Sequence, residues 1–249
     1  MLKEERYTTI IAKLRQDNRV SSTELSEELQ VSDDTIRRDL HELASRGILQ
    51  KVHGGAIPKP ITPEGFDQRL DFSSESKKDL CQKSLKLIDE GMMLMIDGGT
   101  TNLTLVHQLP SLMPLEIVTN SLPLAEYLSK LDNIKLHMLG GAYDPVSKVF
   151  KGQETIRQIG NFNPELCVVG ACSIHHRQGL TTPYAEENFV KQKMIEASQK
   201  TLVLATNDKV ETAVRYRVCD FESIDYLALE DTLDPSLKSL YATKHPQLL

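Results

Sequence analysis

Ile10, Ile11 and Leu14 recur at helical spacing in EERYTTIIAKLRQD, and Ile36, Leu40 and Leu43 repeat that rhythm further along the chain. Between them, SSTEL opens a shorter helix running through Leu29, with Ser21 and Glu24 placed as a capping box. LQVS then makes a tight turn, and Ser32 is set to cap the next helix, with Asp33 and Asp34 at the positive end of its dipole. Gly47 suits a helix C-cap, and ILQKVHGG reads as a short strand running into a glycine-rich hairpin tip. Three helices and a hairpin make a winged helix, whose second helix-turn-helix element enters a major groove.

The pattern changes after IPKPITPEG, where prolines at 58, 60 and 63 favour an extended connection. SSESKKDLCQKSLKLIDEG predicts a helix ending at Gly91. Short apolar runs then alternate with helical stretches: MMLMID, LEIVTN, IKLHML, ELCVVGA, TLVLAT and IDYLAL. This alternation predicts βαβ units, a mostly parallel sheet and helices on both faces. The expected organisation is multidomain: a small α+β winged helix-turn-helix over residues 1–57, a linker over 58–72 and an α/β domain over 73–249.

Charge refines the first segment. The chain carries a net charge of −6, and residues 1–57 hold nine Lys or Arg against ten Asp or Glu. That balance excludes a general nucleic-acid coat but not a site-specific reader, which needs only local positive charge. Residues 37–53 supply it through Arg37, Arg38, Arg46 and Lys51, against Asp39 and Glu42. At about 100° per residue, Asp34, Arg38 and His41 point away from the Ile36 face, with Arg37 on the flank. An isolated solvated helix would look the same; the preceding helix and turn make it a recognition helix. Ser32, Asp34, Thr35, Arg37, Arg38, His41, Lys51 and His53 are the expected contacts to double-stranded DNA.

Hydrophobic residues make up 40% of the chain, enough to bury a core, and no apolar run approaches a membrane span. The charged start is no signal peptide, so a cytoplasmic protein without membrane contact is expected. Four cysteines, at 81, 167, 172 and 219, show no CxxC pairing and fit reduced thiols. Neither a metal nor a cofactor is expected.

In open parallel sheets, ligands bind beyond the carboxyl ends of the strands. Those ends read DGGTTN, TNS, GGAYD, GACS and TNDK, rich in residues that leave backbone N–H groups and hydroxyls available. DGGTTN runs from a strand through Gly98 and Gly99 to Thr100 and Thr101 at a helix start, which favours an anion. Asp97 carries the wrong charge for phosphate and suits sugar hydroxyls. No Lys follows as in a Walker loop, and G-x-G-x-x-G is absent.

VSDDTIRRDLHELASRGILQKVHGGA resembles the signature of the deoxyribose-operon repressor (DeoR) family of bacterial regulators, through Thr35, Arg37, Arg38, Asp39, Leu40, Leu43, Gly47, Gly54 and Gly55. The second region resembles that family's sensor domain at Asp97, Gly99, Thr100, Thr101, Thr119, Asn120, Ser121, Gly140, Gly141, Gly152, Gly170, Ala171, GLTTP, Glu187, Lys191 and Met194. The resemblance implies a fold related to ribose-5-phosphate isomerases and coenzyme A transferases. It also implies a phosphorylated sugar, polyol or related metabolite that changes DNA affinity. The expected effector residues are Asp97, Gly98, Gly99, Thr100, Thr101, Thr119, Asn120, Gly140, Gly141, Lys148, Gly152, Glu187 and Lys209. One departure stands out: the family usually has Asp-Ser-Ser-Lys where this chain has TNDK, placing Asp208 against Lys209.

Three functions fit these residues. A repressor of a sugar-metabolism operon, released by its effector, is expected, as a homodimer or homotetramer because paired half-sites multiply affinity. A sugar-phosphate isomerase would use Glu187 as base, Lys209 or Lys191 as electrostatic partner and Asp97 as hydroxyl anchor, whereas Glu187 and Lys191 also fit a plain i, i+4 salt bridge. A scaffold whose loops bind nothing would show no ligand response.

Overall fold

Ser21 and Ser32 each begin a helix with a side-chain cap: Ser21 Oγ accepts from Glu24 N at 3.5 Å and Ser32 Oγ from Thr35 N at 3.2 Å. The structure, a computed structural model, describes residues 3–17, 19–45, 48–58, 65–70, 74–242 and 245–249. Arg46, Gly47, Pro60 and Pro63 lie outside these residues. The chain divides into two compact units, residues 1–62 and 63–249.

The first unit runs α1 (Lys3–Asp17), β1 (Val20–Ser21), α2 (Ser22–Glu28), α3 (Asp33–Ser45), β2 (Leu49–Val52) and β3 (Gly55–Pro58). Ile36, Leu40 and Leu43 of α3 are fully buried against Ile10, Leu14, Leu25 and Leu49, so the helical rhythm marks the inner face as expected. The hairpin gains a third strand, in the order β1-β3-β2. A Cβ on Gly55 would fall 1.9 Å from the Val20 carbonyl oxygen, so only glycine lets β3 lie beside β1. Gly54 turns the hairpin at φ +78°, and its carbonyl accepts from Ser22 N at 2.9 Å and Ser22 Oγ at 3.0 Å. The wing is thereby tied to the start of α2.

The second unit begins with α4 (Phe66–Leu70), α5 (Ser74–Ser84), β4 (Met93–Ile96), α6 (Thr100–Gln108), β5 (Leu115–Thr119), α7 (Leu122–Leu128) and β6 (Ile134–Met138). β7 (Ala142–Asp144), β8 (Val149–Lys151), α8 (Gln153–Ile159), β9 (Leu166–Gly170), β10 (Ser173–His175) and β11 (Gly179–Thr182) follow. The chain ends with α9 (Ala185–Ala197), β12 (Lys200–Ala205), β13 (Tyr216–Cys219), β14 (Tyr226–Leu229), α10 (Pro235–Tyr241) and β15 (Gln247–Leu248).

Seven strands form a parallel sheet in the order β15-β14-β12-β9-β4-β5-β6. Successive residues serve opposite faces. Leu94, Ile96, Ile117, Val168, Leu202 and Leu204 pack with α5, α6 and α7 through Leu80, Leu105 and Leu124. Met95, Val118, Cys167, Val169 and Val203 pack with α8 and α9 through Ile159, Val190 and Met194. Both faces are covered, which is why these strands read as continuous apolar runs. At the amino edge, neighbouring loops are stitched by backbone bonds: Gly91 N to Pro114 O at 2.8 Å, Leu115 N to Asn133 O at 3.2 Å and Gln199 N to Pro164 O at 2.9 Å.

Two expectations change. Helix α5 stops at Ser84, and after a 3-10 turn Ile88 is already extended (φ −112°, ψ 113°), so Gly91 serves a turn and not a helix end. Within the expected linker, Phe66–Leu70 is helical, and Phe66 is buried and donates its N–H to Val146 O at 2.8 Å, while most of the proline-rich stretch expected to be extended lies outside the described residues. Strands β7, β8, β10, β11 and β13, too short to show alternation, form two small antiparallel sheets.

Candidate functional site

On α3, Arg37, Arg38, Asp34 and His41 are exposed, as are Ser32, Lys51 and His53, while Thr35 is half-buried and shares a hydrogen bond with Ser32 Oγ at 2.8 Å. Each arginine is met one turn earlier by an acid: Arg37 pairs with Asp33 at 2.8 Å and Arg38 with Asp34 at 2.7 Å. Such exposed i, i+4 pairs are worth a few tenths of a kcal/mol, so they orient the guanidinium groups without withholding them from a phosphate. Asp39 has a different part. It is buried, and Arg6 of α1 donates to both its oxygens, Nε at 2.7 Å and Nη2 at 3.1 Å, which locks α3 to α1.

In the second unit the winding direction reverses between β4 and β9, since β5 and β6 lie to one side and β12, β14 and β15 to the other. A crevice opens at such a reversal, and DGGTTN leads into it. Asp97 N donates to Val168 O at 3.0 Å, and Asn102 Nδ2 donates to Asp97 O at 2.8 Å, fixing the loop across the gap between the strands. Gly98 is needed for closeness: a Cβ there would lie 2.2 Å from Val149 Cγ1. Gly99 turns at φ +135° into α6, and among the described residues the Thr100 and Thr101 hydroxyls have no hydrogen-bond partner. A helix start with two available hydroxyls suits an anion.

Asp97 forms a buried ion pair with Lys191 of α9. Burial alone would push the Lys191 ammonium towards neutrality, but Asp97, with Cys172 and Glu187, outweighs it and holds the pKa above the usual lysine range. The i, i+4 pairing of Glu187 with Lys191 is therefore corrected: Lys191 turns to Asp97, and Glu187 Oε1 accepts from Ser147 Oγ at 2.5 Å.

The other expected residues divide by position. Thr119 Oγ1 donates to Ile96 O at 2.6 Å and accepts from Ser121 N at 3.1 Å, so it clasps two strand ends. Asn120 donates to Phe150 O at 2.9 Å, and Lys148 pairs with Asp67 at 2.6 Å, which brings α4 and the β7–β8 hairpin to the same crevice. Gly140 and Gly141 follow β6, two strands from β4 and hence about 10 Å away; the Gly140 carbonyl accepts from Thr155 Oγ1 at 2.7 Å. Gly152 turns at φ +97° into α8. Lys209 follows β12, about 10 Å to the other side, and its ammonium pairs with Asp208 at 2.6 Å, the neutralisation that TNDK implies.

Sequence reading left Ser121, Asn188 and Lys191 out of the ligand set. Asn120 Oδ1, Ser121 Oγ and Asn188 Oδ1 are buried without a hydrogen-bond partner among the described residues, which calls for a physical explanation. Lys191 and Ser121 carried a signal, both among the residues that resemble the family's sensor domain; Asn188 carried none.

Residues 6–59 match the DeoR-like helix-turn-helix domain, and residues 73–231 match the DeoR C terminal sensor domain. The HTH-type transcriptional repressor GlcR of Bacillus subtilis is 29% identical over 229 residues, 91% of this chain and 88% of that one. A glycerol-3-phosphate regulon repressor of Haemophilus influenzae is 32% identical over 228 residues, 91% of this chain and 89% of its own. Ribose 5 phosphate isomerase A from Neisseria gonorrhoeae overlays 58% of this chain and 56% of its own, at 16% identity and a TM-score of 0.41.

Proposed function

The chain belongs to the DeoR family of transcriptional regulators, and from that premise we propose that it is a repressor that reads operator DNA through α3 and the wing and is released by a phosphorylated sugar or polyol. The observation that carries the effector half is the Gly98–Gly99–Thr100 loop, which enters α6 at the winding reversal of the sheet. The names of relatives support the metabolite class, since one is a glycerol-3-phosphate regulon repressor. In this reading residues 1–57 are the reader and 73–249 the sensor, joined by 58–72, of which α4 packs with the second unit.

The reading also takes the protein as a homodimer or homotetramer acting in the cytoplasm without catalysing a reaction. Among the described residues, no helix is long and apolar enough to cross a membrane. Glu187, the candidate isomerase base, is already engaged by Ser147.

The test is a gel shift on the protein's own promoter, with phosphorylated sugars and polyols drawn from a thermal-shift screen. Thr100→Ala with Thr101→Ala should bind DNA as before but need far more effector for release. Release at the wild-type concentration moves the anion site away from this loop. Turnover of ribose 5-phosphate that disappears in Glu187→Gln would make the protein an enzyme.

A further inference from the structure

Away from the β4–α6 loop, the β10–β11 turn and the segment after β12 bring three ligating side chains together. His175, His176 and Glu211 each offer one ligand atom, and these atoms lie within 4.8 Å of one another. His176 Nδ1 is 2.9 Å from Glu211 Oε2, and His175 Nε2 is 3.7 Å from the same oxygen. The imidazoles are stacked, with centroids 4.7 Å apart and planes 16° from parallel. We propose that His175, His176 and Glu211 form a divalent-cation site of zinc-binding chemistry.

Three further observations favour a cation. The Glu211 carboxylate is only 8% exposed, yet among the described residues no lysine or arginine pairs with it. Its neighbours are the two imidazoles, the His176 N–H at 3.2 Å and the Tyr241 hydroxyl at 2.5 Å. A carboxylate this enclosed, with no lysine or arginine on it, is a place where a divalent ion adds favourable charge. Glu211 also sits at φ +55°, a conformation that a non-glycine residue adopts at a cost and that recurs at ligand sites. Two imidazole nitrogens and one carboxylate oxygen are the donor set of open zinc sites, with a fourth position left for water.

Arg177 is the competitor. Its backbone N–H donates to His175 Nδ1 at 3.0 Å, and its Nε donates to His176 Nε2 at 3.1 Å. These bonds favour the tautomers whose remaining N–H groups face Glu211, so metal binding must turn both imidazoles to the other tautomer. The Arg177 side chain is exposed and can swing off His176 Nε2, whereas its backbone N–H leaves His175 Nδ1 only if the turn itself shifts. A bound ion would then fix Glu211, two residues beyond Lys209, and with it the segment after β12.

The experiment is calorimetric titration of the untagged full chain with zinc chloride, together with melting in zinc and in EDTA. One zinc ion per chain and a higher melting temperature in zinc are expected. His176→Ala and Glu211→Gln should each weaken binding by about 10-fold or more. Arg177→Ala, which keeps all three ligands, should tighten it roughly threefold or more; it serves as the test should a ligand variant fail to fold. Absence of saturable binding, unchanged affinity in both ligand variants, or weaker binding by Arg177→Ala would overturn the site.

Discussion

Arg6 of α1 holds both carboxylate oxygens of Asp39, which lies directly beside Arg38 on the recognition helix. Removing one member of a buried pair leaves the other charge without compensation, at about 3–5 kcal/mol in buried settings. Asp39→Ala should therefore destabilise the reader by roughly 3 kcal/mol in chemical denaturation. DNA binding should be lost through unfolding and return at lower temperature. A variant with wild-type stability that still fails to bind DNA would make Asp39 a contact.

Arg37→Ala and Arg38→Ala should each leave the melting temperature unchanged and reduce operator affinity by roughly 1–3 kcal/mol. If the lost contact is to phosphate, the salt dependence of binding should flatten by about one unit of slope. Binding isotherms across a salt series separate this from loss of base reading, which changes sequence preference instead.

Replacing Lys191 by Met should strand the buried Asp97 carboxylate and destabilise the sensor unit by about 3–5 kcal/mol. Adding Asp97→Asn should recover much of that loss. Denaturant midpoints of the two single variants and the double variant measure the coupling. Simple addition of the two effects would mean that the pair contributes nothing jointly.

The β7–β8 hairpin should show a pH signature. Burial pushes the Asp144 carboxyl up, but Lys151 at 2.7 Å and the N–H groups of Val146 and Ser147 outweigh it and hold the pKa below the ordinary 3.8. A depressed carboxylate stabilises the fold fully above its unfolded value, and that stabilisation is lost as pH falls through the folded value. Asp144→Asn should therefore melt earlier than the wild type at pH 7, by about 1 kcal/mol, and the gap should close on acidification below 3.8. A gap that is constant with pH would remove the electrostatic reason.

What the sequence displayed was short-range. Ile36, Leu40 and Leu43 announce the buried face of α3 because four residues suffice to show helical rhythm, and the long apolar strands betray a sheet covered on both sides. The partners of charged residues were hidden by distance along the chain: Asp39 meets Arg6 across 33 positions, and Asp97 meets Lys191 across 94. Glu187 and Lys191 have helical spacing suited to each other, yet tertiary packing gives each a different partner. Strands of three residues, such as β7 and β10, are too short to carry a period, so the hairpin holding Ser147 and the turn holding His176 had no pattern to reveal them.

The backbone stitching at the amino edge of the sheet has an evolutionary consequence. Bonds such as Gln199 N to Pro164 O use atoms that nearly every residue possesses, so most substitutions there keep the bond, Gly91 at φ +81° being an exception. The opposite edge carries loop side chains, of which some, such as Thr119, also tie strands together and others do not. On the proposed effector reading, a lineage retunes its metabolite through loop side chains that tie no strands together, while inheriting the scaffold and the DNA reader.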